Sequence, residues 1–97
     1  MQQYQIQAFD GTDENALERR MATRPAHFAY MAKYKAAGNF IMGGAILNDE
    51  GKMIGSTVFL KFETEDELDQ YFENEPYINE KVWEQVRFFP FRMAVVE

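Results

Sequence analysis

"FIMGGAILNDEGKMIGSTVFLKF", residues 40–62, contains two apolar runs separated by a short polar segment. The runs cover residues 40–47 and 53–62, and both are rich in the branched and aromatic residues that favour strands. The segment "NDEG" (48–51) between them has the composition of a turn. The pattern predicts a β-hairpin, and Gly43 and Gly44 indicate a bulge or a close backbone approach in its first strand.

Strands are also expected near both ends of the chain. "YQIQAF" (4–9) alternates polar and apolar residues, which is typical of a strand buried on one face. "WEQVRFFPFRMAVV" (83–96) predicts a long closing strand that Pro90 can interrupt.

The segment between the first strand and the hairpin is predicted to be helical in two pieces. After a turn at Gly11, Thr12 or Asp13 can cap a short helix that carries Leu17 and Met21 on one face. Because proline cannot donate the interior helical hydrogen bond, Pro25 is expected to end this helix. Proline is favoured at a first helical position, so a second helix is predicted from Pro25 to Ala37.

Two further signals mark the limits of helices. Gly38 is expected to supply a left-handed cap at the end of the second helix. Thr64 and Glu67 have the spacing of a capping box, which predicts a helix beginning after Thr64 with Leu68, Tyr71 and Phe72 facing inward.

The predicted order is β-α(α)-β-β-α-β. This is the α+β, ferredoxin-like arrangement, in which helices cover one face of a four-stranded antiparallel sheet. Ninety-seven residues are expected to form a single domain over 1–97.

The strands are apolar on both faces, although a sheet with helices on one side should have a polar second face. By alternation, Phe89 and Phe91 share one face of the last strand, while Val86 and Phe88 share the other. An apolar sheet face of this size is an association surface. We therefore expect a homodimer that stacks sheet on sheet around a barrel-like shared core.

The composition argues against several classes of function. Ten basic and sixteen acidic residues give a net charge of −6, which disfavours nucleic-acid binding. The chain has no cysteine, which excludes thiolate metal sites and fits a reducing cytoplasm. No signal peptide or membrane-spanning stretch is recognisable, so a cytoplasmic protein without membrane or nucleic-acid partners is expected.

Four short motifs occur in register along the chain: "RPAH" (24–27), "GST" (55–57), "EPY" (75–77) and "FPFR" (89–92). In this order and spacing they resemble the YCII-like family of small proteins. There an R-x-x-H precedes a helix, a G-S-T lies in the third strand, and a D-P-Y follows the last helix. The resemblance implies a ferredoxin-like, dimeric α/β barrel related to muconolactone-isomerase-type folds.

The resemblance also implies an active site in which the histidine pairs with the aspartate of D-P-Y. Some relatives are associated with removal of chloride from chlorinated aromatic rings, a lyase-type reaction that uses this pair. In this chain the histidine is His27, the only one present, and the aspartate position holds Glu75, which keeps the carboxylate with one more methylene. The turn "NDEGK" (48–52) is shorter than is usual in the family.

Each candidate site residue has an ordinary structural alternative. His27 can act as a general base near neutral pH, or can form a local hydrogen bond at a helix start. Glu75 is its candidate partner, or a helix end that faces solvent. Arg24 can bind an anionic group or pair with a surface carboxylate, and Ser56 and Tyr77 can contact a ligand or pack in the core.

Three hypotheses about function stay open. The first is a small dimeric enzyme that uses His27 and Glu75 to abstract a proton from a small ring or lactone-like compound, as a lyase or isomerase. The second is a non-catalytic dimer that binds a small ligand or a protein. The third is a structural domain whose site has decayed. One histidine without cysteine argues against a zinc or copper site, so no metal is expected, and no glycine-rich phosphate loop supports a nucleotide cofactor.

Overall fold

The computed structural model describes residues 1–97 and has the predicted ferredoxin-like α+β fold. All strand pairs of its four-stranded sheet are antiparallel, in the order β2-β3-β1-β4. The elements are β1 (Gln2–Asp10), α1 (Ala16–Ala36), β2 (Phe40–Leu47), β3 (Met53–Phe62), α2 (Glu65–Asn74), α3 (Pro76–Asn79) and β4 (Trp83–Phe91). No helix is long and apolar enough to cross a membrane.

The helices pack on one face of the sheet and enclose the core. In β1 the alternation predicted from the sequence buries Tyr4, Ile6 and Ala8, and the opposing β3 residues Val58 and Leu60 are buried with them. The hairpin between β2 and β3 is confirmed, and the Asn48 side chain accepts hydrogen bonds from two backbone N–H groups within its turn. The burial of alternate residues therefore fixes which face of the sheet the helices cover.

The capping box of α2 is confirmed. The Thr64 hydroxyl accepts a hydrogen bond from the Glu67 backbone, and the Glu67 side chain accepts one from the Thr64 backbone. Leu68 and Tyr71 are buried as predicted, and Phe72 is half-buried against the core.

The prediction of two helical pieces before the hairpin is wrong, because α1 runs unbroken through Pro25. Proline removes one interior hydrogen bond, whose acceptor would be the carbonyl of Met21. Both residues lie on the exposed side of α1, where water can serve that carbonyl. The helix begins at Ala16 rather than after a Thr12 or Asp13 cap, and Gly38 ends it with the expected positive φ of 83°.

The buried stripe of α1 differs from the apolar face that its leucine and methionine suggested. Leu17 is 36% exposed and Met21 is 44% exposed. The residues of α1 that face the sheet are Ala16, Arg20, Thr23, His27 and Met31. The helix thus turns a largely polar stripe toward the sheet.

Two strands differ from simple alternation. In β2 the register shifts between Phe40 and Met42, so Phe40 opposes buried Leu60 on the helical face while Met42 opposes Phe59 on the other face. The two glycines lie between this shift and a second one between Ile46 and Leu47, and a Cβ atom at Gly43 would lie 3.1 Å from the Thr57 carbonyl oxygen. The last strand ends at Phe91 instead of Val96, with Pro90 tolerated because β4 is an edge strand.

The face of the sheet without helices, here called the open face, is partly apolar. One row across it holds Met42, Phe59, Gln5 and Phe89. Met42 is 57% exposed and Phe89 is 45% exposed, while Gln5 in the centre of the row is half-buried. The open face therefore has aromatic and methionine side chains around the central Gln5, and is less uniformly apolar than expected.

Gly55 in β3 is expected to tolerate no side chain. A Cβ atom there would overlap the carbonyl of Ala8 on β1, whereas a Cβ at Gly44 would meet nothing within 4 Å. We expect Gly55→Ala to lower the free energy of unfolding by about 1–3 kcal/mol, because overpacking displaces the β1 backbone. Urea unfolding at one fixed protein concentration measures the difference.

Gly44→Ala is the matched control, since it makes the same change in the neighbouring strand of the hairpin. It should leave stability unchanged or raise it by up to about 1 kcal/mol, because alanine restricts the unfolded chain. Equal stabilities of the two variants would contradict the close approach of β1 and β3.

Candidate active site

His27 lies in the middle of α1, because the helix is continuous through Pro25. Its side chain is on the buried stripe and is 7% exposed. The predicted second helix from Pro25 would have placed His27 in a helix first turn, and this prediction is wrong. His27 is far from both ends of α1, where the helix dipole acts.

Glu75 lies at the junction of α2 and α3 and is fully buried. Its Oε1 is 2.5 Å from Nδ1 of His27 and accepts a hydrogen bond of 3.1 Å from the Tyr77 backbone N–H. Its Oε2 accepts a hydrogen bond of 2.5 Å from the Tyr71 hydroxyl. The hydrogen bond from the Tyr77 backbone makes Glu75 the N-cap residue of α3, so one carboxylate both caps a helix and holds the imidazole.

The imidazole of His27 is held in one orientation. Its ring stacks on the ring of Tyr77, with centroids 4.0 Å apart and an angle of 11° between the planes. The ring of Trp83 meets it edge-on at 5.9 Å. Because a carboxylate only accepts hydrogen bonds, we assign a proton to Nδ1, which leaves Nε2 without a protein partner.

A cavity of about 540 Å³ opens between α1 and the β2–β3 hairpin, with His27 in its wall. Arg24, Ser56 and Tyr77 line the same cavity, and Glu75 lies behind His27. The structure therefore brings all five candidate site residues to one place. The complete lining is Arg20, Arg24, His27, Phe28, Met31, Ala32, Lys35, Phe40, Gly43, Gly44, Ala45, Met53, Ser56, Val58 and Tyr77.

The guanidinium of Arg24 makes no hydrogen bond or ion pair and lies 4.7 Å above the centre of the Phe28 ring. The hydroxyl of Tyr77 is buried and has no hydrogen-bond partner. Burial raises the pKa of Tyr77, and the positive charges of Arg20 and Arg24 offset part of the rise. Burial also raises the pKa of Tyr71, and the neighbouring Glu75 carboxylate adds to that rise.

A buried polar network beside the pair was missed by the sequence analysis. Nη1 of Arg20 donates to both carboxylate oxygens of Asp10, at 3.0 and 3.1 Å. Nη2 of Arg20 and Nε1 of Trp83 both donate to Oγ of Ser56, at 2.8 and 3.1 Å. Burial raises the pKa of Asp10, and the charge of Arg20 offsets part of that rise.

Sequence signals for this network were present. Asp10 continues the inward-facing series Tyr4, Ile6 and Ala8 at spacing two, and Arg20 lies seven residues before His27 on the same helical face. Charged residues at positions that the pattern assigns to the interior are the signal that could have found them.

A second hollow, of about 670 Å³, lies at the end of the sheet that holds the β2–β3 turn, away from the His27–Glu75 pair. Its wall carries the carboxylates of Asp13, Glu14 and Glu84. No group of three or more His, Cys, Asp or Glu side chains is arranged to hold a metal ion.

Fold and site together define the class: a ferredoxin-like α+β protein with a buried imidazole–carboxylate pair in the wall of a cavity between its first helix and its sheet. The chain belongs to the YCII-related family, whose YCII-related domain matches residues 7–92. Protein YciI of Escherichia coli O6:H1 (strain CFT073) and that of Shigella flexneri are each 33% identical to it over 95 residues, covering 92% of this chain and 95% of the relative.

Solved structures share the fold. A 5-chloro-2-hydroxyhydroquinone dehydrochlorinase from Burkholderia phenoliruptrix AC1100, in complex with 2,5-dihydroxybenzoquinone, superposes with a TM-score of 0.80 at 24% identity over 95% of each chain. A dimeric ferredoxin-like protein from an uncultured marine organism superposes with a TM-score of 0.56 at 12% identity over 100% of each chain. At these identities the likeness establishes the fold alone.

The two tyrosines around the pair are expected to differ in their contribution to stability. Tyr71→Phe removes a buried hydrogen bond to a carboxylate, so we expect it to lower the free energy of unfolding by about 1.5–3 kcal/mol. Tyr77→Phe makes the same chemical change at a hydroxyl without a partner, so stability should be unchanged or higher. Thermal and urea unfolding compare the two variants, and equal losses would contradict the hydrogen-bond assignment.

Proposed function

We propose that the protein is a small-molecule enzyme in which His27, held by Glu75, abstracts a proton from a ring or lactone-like organic compound in a lyase or isomerase type of reaction. The observation that carries this proposal is the buried pair in the cavity wall. Nδ1 of His27 lies 2.5 Å from Oε1 of Glu75, while Nε2 of His27 has no protein partner. This is the arrangement of a general base with an orienting group.

The proposed step begins with substrate in the cavity and a neutral His27. Nε2 takes a proton from a substrate C–H or O–H bond, and the electron pair of that bond stays on the substrate. The imidazolium that forms keeps its Nδ1–H bond to Glu75, and the negative carboxylate stabilises it. Loss of an anionic leaving group, followed by release of the Nε2 proton to water, completes a lyase reaction. Return of the proton to another substrate atom completes an isomerisation instead.

Arg24, Ser56 and Tyr77 are the proposed substrate-binding residues, because they line the cavity together with His27. The fold neighbour from Burkholderia supports a ring compound as the ligand class, since that protein is a dehydrochlorinase in complex with a dihydroxybenzoquinone. For this chain, a hydroxylated or halogenated ring is therefore the first substrate class to examine.

A non-catalytic dimer that binds a small ligand or a protein is the second candidate. One observation favours it: Glu75 caps α3 and accepts a hydrogen bond from the Tyr71 hydroxyl, so its carboxylate has a structural role that does not require catalysis. A decayed site receives less support, because the longer Glu75 side chain still reaches Nδ1 of His27.

Variants of the pair test the catalytic proposal. Purified protein is incubated with a panel of chlorinated dihydroxybenzenes and small lactones, and turnover is followed by mass spectrometry. For a compound that is turned over, we expect His27→Gln and Glu75→Gln to lower kcat by about 10²–10⁴-fold, because the general base or its orienting charge is lost. Lys33→Gln, an exposed change on the same helix outside the cavity, is the control and should keep full activity.

The outcomes separate the candidates. Turnover that both pair variants retain would reject His27 as the base. Thermal stabilisation of wild type and variants by the same compounds without turnover would favour the binding protein.

We also propose that two copies associate through the open face. The exposed aromatic and methionine side chains of that face support this proposal, as does a fold neighbour described as dimeric and ferredoxin-like. The cytoplasmic location and the absence of nucleic-acid partners stay predictions.

A charge on the open face is expected to dissociate the dimer. Phe89→Glu places a carboxylate where the second sheet would pack, so we expect light scattering to report a monomer at micromolar concentration. Met21→Glu is the matched control, because Met21 is 44% exposed against 45% for Phe89 but lies on α1. A monomeric wild type, or a Phe89→Glu variant that stays dimeric, would reject this interface.

A further inference from the structure

We infer that the cavity beside His27 takes a small planar anion, a ring bearing a carboxylate or phenolate oxygen, which Ser56 and Arg24 bind and Lys35 attracts at the mouth. This inference rests on the proposed function, since it names the ligand class of the same site. Three independent features of the cavity wall support it: the Ser56 hydroxyl, which can act only as a donor, an excess of positive charge, and aromatic surfaces.

The hydroxyl of Ser56 is available only as a donor. Its oxygen already accepts hydrogen bonds from Arg20 at 2.8 Å and from Trp83 at 3.1 Å, which occupy both of its lone pairs. Its O–H group donates to no protein atom, although the residue is only 3% exposed and lines the cavity. A buried donor without an acceptor is unfavourable, so an acceptor oxygen on a ligand would satisfy it.

The charge on the cavity wall has one sign. Arg20, Arg24 and Lys35 line the cavity and no aspartate or glutamate does, in a chain whose net charge is −6. Asp10 neutralises Arg20, whereas Arg24 and Lys35 have no ion-pair partner. A cavity with uncompensated cations in an otherwise acidic protein concentrates and selects anions.

The flat surfaces of the wall fit a ring. Phe28 and Phe40 present aromatic side chains, and Gly43 and Gly44 carry no side chains that would fill the space beside them. The Tyr77 ring is already covered by His27 and Arg20. A planar ligand can stack between such surfaces, with its oxygen at Ser56 and Arg24. His27 is then the only lining group with a free acceptor nitrogen, which suits it to an acidic proton of the same ligand.

The experiment uses benzoate and benzamide as probes, because they have nearly the same shape and differ in charge. Since His27 is the only histidine, its imidazole NMR signals report directly on occupancy of the cavity. We expect benzoate to shift these signals to saturation. The Kd of benzamide should be higher than that of benzoate by about 10-fold or more. Added salt should weaken the binding of benzoate only.

Variants locate the anion. Arg24→Gln should weaken benzoate binding about 10-fold, and Lys35→Gln about 2- to 5-fold, because Lys35 is exposed to solvent. Lys33→Gln removes the same charge two residues away from Lys35 and outside the cavity, and should change nothing. Ser56→Ala should also weaken binding, and its stability is measured in parallel because it leaves Arg20 and Trp83 without their acceptor.

The possible failures are distinguishable. Equal binding of benzamide and benzoate, with His27 shifted by both, would overturn the anion inference and leave a small-molecule site intact. No shift of His27 by either probe would overturn both the inference and the proposed small-molecule site. Benzoate binding that Lys33→Gln weakens as much as Arg24→Gln would reduce the effect to general charge attraction and would also overturn the inference.

Discussion

A carboxylate that is fully buried must be surrounded by hydrogen-bond donors, and in this protein the Glu75 carboxylate imposes that requirement on three helices. Its donors are His27 on α1, the Tyr71 hydroxyl on α2 and the Tyr77 backbone on α3. Removing a carboxylate from water costs several kcal/mol unless such partners are present. The mutual positions of the three helices are therefore set by one charged group, and so is the orientation of the imidazole.

A second buried charge connects α1 with the sheet. Asp10 on β1 and Arg20 on α1 form an ion pair in which both side chains are nearly inaccessible. Arg20 also donates to Ser56 on β3, and Trp83 on β4 donates to the same Ser56 oxygen. Because two polar clusters occupy the inner stripe of α1, the apolar residues Leu17 and Met21 remain on its outer side. The cavity lies beside this polar stripe.

The sequence predicts those features of the fold that depend on local signals. The hairpin, the alternation in β1, the capping box of α2 and the glycine cap after α1 follow from spacing and side-chain chemistry within a few residues. Pro25 shows the limit of such signals: on local rules it ends a helix, but burial of Arg20 on one side and His27 on the other favours an unbroken α1. The register shift after Phe40 likewise depends on pairing with β3, which alternation within β2 alone does not reveal.

The residues of the candidate site also divide into those that the sequence indicated and those that it did not. A contact across 48 residues leaves no local pattern, so His27 and Glu75 were connected through resemblance to a family motif rather than through spacing. Asp10 and Arg20 belong to none of the four family motifs, so the resemblance did not indicate them. Their positions, in the inward alternation of β1 and on the buried stripe of α1, could have.

The replacement of aspartate by Glu75 in the motif is compatible with this geometry because the junction of α2 and α3 is extended, with φ −71° and ψ 117°. From that backbone the longer side chain reaches Nδ1 of His27 and Tyr71 while still capping α3. The protein therefore fixes the pair without help from a ligand. Under the proposed function, ligands are selected by groups that have no hydrogen-bond acceptor or donor partner in the protein, namely Nε2 of His27, the Ser56 hydroxyl hydrogen and the Arg24 guanidinium.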